Sequence, residues 1–374
     1  MKNVKFLQLL SEGTDIISVV NSVDDIEGGS MEKLVDNKMI NKIEKLLQEA
    51  RTHVTVEVNN TLLRTYMEIG KLLVEDINLH ENEENYQNKT ISMLSKELTR
   101  KFGKGFSRAN IWNMITFYKE YGSVQTLSER LSWSHYCELL LISDKDKRHF
   151  YEVECANSRW SVRELRRQIA SSLFERLLLS DGEANKQKVL ELALKGNEIV
   201  KPQDIVKDPY VFEFLGIPED KPMMESDLEE ALVRQIEKFL LELGKGFMFV
   251  GTQQRVTFGN VHYYVDMVFY NKILKSYILI ELKTIKLMPE AVGQLNMYLN
   301  YYAAEVNDEE DNPPIGLILC TDKGNVDMQY ALGGLSNNIF ASKYVTYMPD
   351  KEQLIAQVEA VLSLKDKEKK VNNI

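Results

Sequence analysis

Apolar positions recur at helical spacing through the first half of the chain and at strand spacing through much of the second. From about 33 to 78 they fall at Leu34, Ile40, Ile43, Leu47, Val54, Val58, Leu62, Tyr66, Ile69 and Leu73, the three-and-four step of an amphipathic helix. That spacing predicts one long helix or two stacked ones. Thr90 is placed to cap a further helix through Ile91, Leu94 and Leu98, which the glycines of Phe102 to Phe106 stop. Ser107 then opens the next, through Ile111, Met114 and Ile115, so the segment reads helix, glycine turn, helix. The same grammar continues with Ser134, Ser143 or Asp144, and Ser161 as caps, and ends near Asp181-Gly182.

Residues 181–225 break the pattern. Half of the chain's 8 prolines lie there (Pro202, Pro209, Pro218 and Pro222), around a short helix near 186–195. Beyond them a helix over 226–243 precedes Val-, Ile-, Phe- and Tyr-rich runs at 247–258, 261–270 and 275–283. A helix over 289–304, an apolar strand at 315–320, a weak strand near 344–347 and a helix over 350–363 complete the order. The expected fold is an all-helical N-terminal domain with a helix-turn-helix-like unit, followed by an α/β core of order αβββαβ. Its divisions are a mobile arm over 1–30, a helical domain over 31–180, a connector over 181–225, the α/β domain over 226–363 and a flexible tail over 364–374.

Length agrees, since 374 residues exceed one ordinary domain of roughly 150. The composition, 44% hydrophobic and 27% charged, is that of a globular chain and excludes collagen-like or wholly disordered classes. No apolar run approaches the roughly 18 residues of a membrane-spanning helix, and the first twenty residues make a poor signal peptide. Cys137, Cys155 and Cys320 are odd in number and far apart, which argues against a disulfide framework and for a cytoplasmic location. A net charge of −10 speaks against coating nucleic acid by bulk positive charge.

Charge inside the apolar strands is the anomaly. Asp266 stands alone in the run Tyr263 to Tyr270, and Glu281 and Lys283 stand two apart in Tyr277 to Lys283, on one face of a strand. If the two strands form a hairpin, Asp266 meets Glu281 across it. Converging carboxylates repel unless a divalent cation sits between them, and a lysine beside them can position water or neutralise charge on a phosphate. The plainer alternative is a structural Glu/Lys pair with Asp266 bonded elsewhere. Glu229 or Glu230, at the start of the preceding helix, can point to the same sheet end. Gln294 and Tyr298 share a face of the following helix.

Helical Glu, strand Asp, strand E-x-K and helical Q-x-x-x-Y, in this order, resemble the PD-(D/E)xK nuclease superfamily. They read here as Glu229, Asp266, Glu281-Leu282-Lys283 and Gln294 to Tyr298. The chain from about 33 to 360 is similar to the YhcG-type nuclease family, through Gly103 to Arg108, Leu131 to Tyr136, Trp160 to Leu165, Glu175 to Ser180, Phe269 to Asn271 and Gly293 to Tyr302. The resemblance implies a restriction-endonuclease-like core that binds Mg²⁺, for which Mn²⁺ can substitute, through Asp266, Glu281 and the Leu282 carbonyl. Glu229 would contribute to the metal shell, Lys283 would position or activate water, and Gln294 and Tyr298 would support the site. Thr252 stands where such proteins often carry arginine, whereas Gln253 matches. Roles in recombination, repair or restriction of foreign DNA follow by family analogy only.

The helical half carries two basic clusters. Lys96, Arg100, Lys101, Lys104 and Arg108 oppose only Glu97, with Ser107 in the same turn, and Arg163, Arg166 and Arg167 follow Arg159. They are candidate contacts for duplex or branched DNA, the alternative being a solvated helix face. Trp112, Trp133 and Trp160 read as core rather than stacking platforms. Neither Gly-Lys-Gly-Phe copy has phosphate-loop spacing, and the five histidines lack metal-ligand spacing. The reading is thus a metal-dependent endonuclease acting as a homodimer, without a membrane partner. RNA as substrate, or a catalytically silent nucleic-acid-binding scaffold, are the alternatives.

Overall fold

The computed structural model describes residues 37–80, 86–123, 127–180, 186–218, 223–323 and 338–360. The expected arm over 1–30 and tail over 364–374 lie outside them. The chain divides into two compact units, 1–58 and 59–374. In the first, residues 37–58 begin α1 (Asn37–Leu79), which is a single helix. Its apolar stripe stays in solvent here, Ile43 at 50% and Leu47 at 56% exposure.

In the second unit the end of α1 buries Leu63 and Met67 among α2 (Tyr86–Phe102), α3 (Arg108–Tyr121), α4 (Trp133–Leu139), α5 (Lys145–Ser158), α6 (Val162–Ala170), α7 (Leu173–Ser180) and α8 (Lys186–Lys195). The caps are those of ordinary helix chemistry. Ser107 accepts from Asn110 N, Asp144 from Lys147 N, and Ser161 and Glu164 cap each other. Two expected caps differ. Thr90 lies inside α2, and Ser132 rather than Ser134 caps α4, because His135 Nδ1 can accept the Ser132 N–H at 3.1 Å. Gly103 (φ +92°) makes the turn between α2 and α3, where a side chain would be strained. All three tryptophans pack against apolar neighbours: Trp160 and Trp133 with Phe117 and Phe150, Trp112 with Ile111.

The second half is a six-stranded mixed sheet in the order β1-β6-β5-β4-β3-β2. Its strands are β1 (Tyr210–Val211), β2 (Phe247–Phe258), β3 (Val261–Asn271), β4 (Ser276–Lys286), β5 (Ile315–Asp322) and β6 (Asn338–Val345). β2, β3 and β4 are antiparallel neighbours, while β4, β5, β6 and β1 run parallel. Parallel strands covered on both faces must be apolar, and β5 is buried from Ile315 to Cys320. One face packs Met267, Ile280, Leu282 and Leu317 on α9 (Glu225–Arg234) and α10 (Ile236–Leu243). The single helix expected over 226–243 is therefore two, broken at Gln235, whose side chain donates to Phe214 O at 2.8 Å. The other face packs Val268, Leu279 and Ile318 on α11 (Pro289–Tyr301), which approaches so closely that a Cβ at Gly316 would lie 2.7 Å from Leu295. A final helix occupies 351–360.

A buried charge cluster joins the helical half to the sheet half. Glu242 of α10 is fully buried; its Oε1 accepts from Arg176 Nη1 at 2.6 Å and Val211 N at 3.0 Å, and its Oε2 from Arg167 Nη1 at 3.0 Å. Lys207 donates to the Glu242 carbonyl. Arg167 also grips Glu213 through two bonds of 2.7 and 2.9 Å. This corrects the expectation for Arg167. Its guanidinium is turned inward and fully engaged, which removes it from the candidate nucleic-acid contacts.

Burial alone would push the Glu242 carboxyl up, but Arg176, Lys207 and Arg167 outweigh it and hold the group at about 2. A depressed carboxyl contributes stability that is present above the unfolded value near 4.5 and lost as pH falls toward about 2. Glu242→Ala, which leaves buried cations unpaired, is expected to cost about 3–5 kcal/mol in chemical denaturation at pH 7, and to flatten stability against pH in that acid window.

Candidate active site at the sheet fork

The ladder between β3 and β4 runs from Asn271↔Ser276 to Met267↔Ile280 and stops. Beyond that point β3 continues with β2 alone as far as Val261, and β4 continues with β5 as far as Lys286. The next pair in register is Asp266 with Glu281, so both carboxylates stand where the two strands separate. Separation frees a backbone donor. Asp266 Oδ2 takes it, accepting from Leu282 N at 2.8 Å.

Glu281 is 3% exposed. Its Oε1 lies 3.0 Å from Lys283 Nζ, and its Oε2 is buried without a hydrogen-bond partner. Burial first, and the Asp266 charge second, push the Glu281 carboxyl up to about 7, against the opposing pull of Lys283. Burial also raises Asp266, against the Leu282 N–H and Lys283. Burial would lower Lys283, but Glu281 and Glu225 outweigh it and the ammonium is favoured. Glu225, in the first turn of α9, lies 2.9 Å from Lys283 Nζ.

Gln253 bridges the sheet to α9. Its Nε2 donates to Glu229 Oε2 at 2.6 Å and reaches Asp266 Oδ1 at 3.5 Å. The residue holds φ at +46°, a left-handed conformation that costs a non-glycine residue on the order of 1 kcal/mol or more. Burial raises the Glu229 carboxyl, with Gln253 opposing and Asp266 adding. Glu230 turns away, pairing with Arg234 in solvent at 2.5 Å. Of the two helical glutamates, the structure brings Glu229 to Asp266. On the α11 side Gln294 donates to the hydroxyl of Tyr298, whose ring is buried beneath the fork and whose phenol is raised chiefly by burial.

Among the described residues no three His, Cys, Asp or Glu side chains form a ready cation cage. The fit of a cation rests on two carboxylates, on the Leu282 backbone and on the orphaned Glu281 oxygen. An unpaired buried carboxylate oxygen requires a cationic partner or a proton. The donor set is entirely oxygen, which suits a hard divalent cation.

Away from the fork, Lys96, Arg100, Lys101, Lys104, Ser107 and Arg108 are exposed around the Gly103 turn, Arg100 pairing with Glu97 at 3.0 Å and Ser107 engaged as a cap. Arg163 is exposed, and Arg166 is exposed but bonded twice to Glu138. Glu225 and the bridging role of Gln253 escaped the sequence reading. Both left a signal: Glu225 precedes Glu229 by one helical turn, and the Gly259-Asn260 turn sets Gln253 opposite Asp266.

Residues 203–359 match a family described as the YhcG PDDEXK nuclease domain, and residues 42–176 match the DUF1016 N-terminal domain. The Escherichia coli (strain K12) protein titled "Putative nuclease YhcG" is 36% identical, the match covering 85% of this chain and 92% of that one. The crystal structure of a repair endonuclease from Pyrococcus abyssi matches at 15% identity, over 35% of this chain and 50% of that one, with a TM-score of 0.23 too low to carry an argument.

A carboxyl raised by folding stabilises the protein fully below its unfolded value and loses that contribution as pH rises through about 7. Glu281→Gln, which removes the buried charge, is therefore expected to stabilise the metal-free protein at pH 8 by about 1–3 kcal/mol, measured by denaturation in EDTA, with the gain vanishing near pH 4.

Proposed function

The chain belongs to the YhcG family of PD-(D/E)xK nucleases, and from that premise we propose that it is a Mg²⁺-dependent endonuclease hydrolysing phosphodiester bonds of DNA. The observation that carries this reading is the pair Asp266 and Glu281 at the fork, with one buried Glu281 oxygen unpartnered. Asp266, Glu281 and the Leu282 carbonyl would hold the cation, with Glu229 contributing from α9. A divalent cation there would supply positive charge to the phosphate and acidity to an attacking water.

The protein's own groups do the rest. Lys283, kept cationic by Glu281 and Glu225, serves as a fixed donor that orients water and meets negative charge developing on the phosphate. Gln253 holds Glu229 and Asp266 in mutual register. Tyr298 and Gln294 support the floor of the site. The exposed basic turn at Lys96, Arg100, Lys101, Lys104 and Arg108, with Arg163, supplies phosphate-backbone affinity that an acidic chain otherwise lacks.

Cutting both strands of a duplex calls for two active sites, and a second copy fits the exposed stripe of α1. An antiparallel pairing centred between Leu47 and Ala50 sets Ile43 against the partner's Val54 and Glu44 against the partner's Arg51. A parallel pairing would instead set Glu57 against the partner's Glu57.

Two experiments test these readings. Asp266→Ala, Glu281→Ala and Lys283→Ala should each lower cleavage of linear or branched DNA in Mg²⁺ by at least about a thousandfold, with circular dichroism unchanged. Wild-type protein that cuts neither DNA nor RNA in Mg²⁺ or Mn²⁺ would leave only the scaffold reading, and cleavage confined to RNA would reassign the substrate. In sedimentation equilibrium, Leu47→Asp and Glu44→Arg should each shift a dimer toward monomer, and Glu44→Arg combined with Arg51→Glu should restore it.

A further inference from the structure

The β2–β3 hairpin outlasts the sheet. From Val261 to Val265, β3 is paired by β2 alone, since β4 has left at the fork. One face of this two-stranded ribbon is closed against α11: Val256 and Val265 are buried, Phe258 meets Tyr301 edge to face, and the Tyr263 ring lies tilted against Tyr298. Side chains alternate along a strand, so the open face carries the intervening positions. These pair across the ribbon as Arg255 with Tyr264 and Thr257 with His262, and the same register continues inward to Gln253 and Asp266.

The open face is therefore a continuous track whose inner end is the acid site. Each pair lies two residues, or about 6.8 Å, beyond the last. Arg255 and Tyr264 are exposed, the latter at 49%. The Arg255 guanidinium makes no hydrogen bond or ion pair among the described residues, although it stands one pair outward from the fork. An uncompensated guanidinium on the strand face that carries Asp266, one pair outward from the fork, suits an anion that runs from one to the other, which a nucleic-acid strand does. Opposite it, the Tyr264 ring offers an apolar face for a sugar or base. A two-stranded ribbon also has the width that a major groove admits.

We propose that the open face of the β2–β3 ribbon binds the nucleic-acid strand on one side of the scissile phosphate, with Arg255 on a neighbouring phosphate and Tyr264 against the adjoining nucleoside. This rests on the nuclease reading and extends it outward from the metal-binding groups.

The test uses the full chain, a labelled 30-base-pair DNA duplex, and two independent measurements. Fluorescence anisotropy in EDTA reads binding without catalysis, and steady-state cleavage in Mg²⁺ separates KM from kcat. Arg255→Ala should weaken binding by about tenfold and lower the salt dependence of log Kd by about one unit. Its KM should rise in proportion while kcat falls by less; Arg255→Lys should recover most of the loss, and Tyr264→Ala should weaken binding with the salt dependence retained. Lys272→Ala, in the turn at the opposite end of the hairpin pair, is the control. Wild-type Kd, KM and salt dependence in both Arg255→Ala and Tyr264→Ala, in a protein that does cut DNA, would overturn the track and leave the nuclease reading standing. If the wild type cuts nothing, the nuclease reading fails, and the anisotropy arm decides the ribbon by itself.

Discussion

The end of hydrogen bonding between β3 and β4 is the constraint on which the site depends. A β-ladder that stops inside a sheet must dispose of its unpaired amides, and here the Leu282 N–H is taken by the Asp266 carboxylate. That one bond fixes the aspartate's position and leaves Glu281, next in register, facing it across the gap. The two carboxylates repel and both are partly desolvated, so each resists ionisation. Lys283 and Glu225 extend the arrangement on one side, Gln253 and Glu229 on the other. The cost of assembling like charges is borne by packed apolar layers on both sheet faces.

Those layers also explain why the remaining strands have so little polar content. β5 is buried on both sides and lies beside β4, giving the fork a rigid wall. α9 and α10 cover one face and α11 the other, and two of the three bring polar groups toward the fork: Glu225 and Glu229 from α9, Gln294 from α11. A net charge of −10 is thus the sum of very different local fields. Part of the acid gathers at the fork, while Lys96 to Arg108 forms a basic turn elsewhere.

Much of this was legible in the sequence, and the reasons differ by element. Strand periodicity placed β2 and β3 within a residue of their limits, and an aspartate or E-x-K inside apolar runs stands out against what a buried strand tolerates. Helix spacing gave α1, α8 and α11 close to their true limits. What could not be read were features decided by tertiary neighbours. The break at Gln235 exists because its side chain finds Phe214 O, and the inward turn of Arg167 exists because Glu242 and Glu213 await it from beyond the connector. A surface arginine and an interior one look alike in one dimension. Glu229 and Glu230 are likewise adjacent in the chain, and only the phase of α9 on the sheet separates them.

Glu242 has a consequence for heredity. Its carboxylate belongs to the sheet half, whereas both guanidiniums that neutralise it, Arg167 and Arg176, come from the helical half. Without them the carboxylate would keep only Lys207 nearby. A recombination event that joined this sheet half to a foreign helical partner would strand an anion in one piece and leave two cations behind in the other. The two segments are therefore electrostatically one piece, and neither can be exchanged alone without unpairing buried charge.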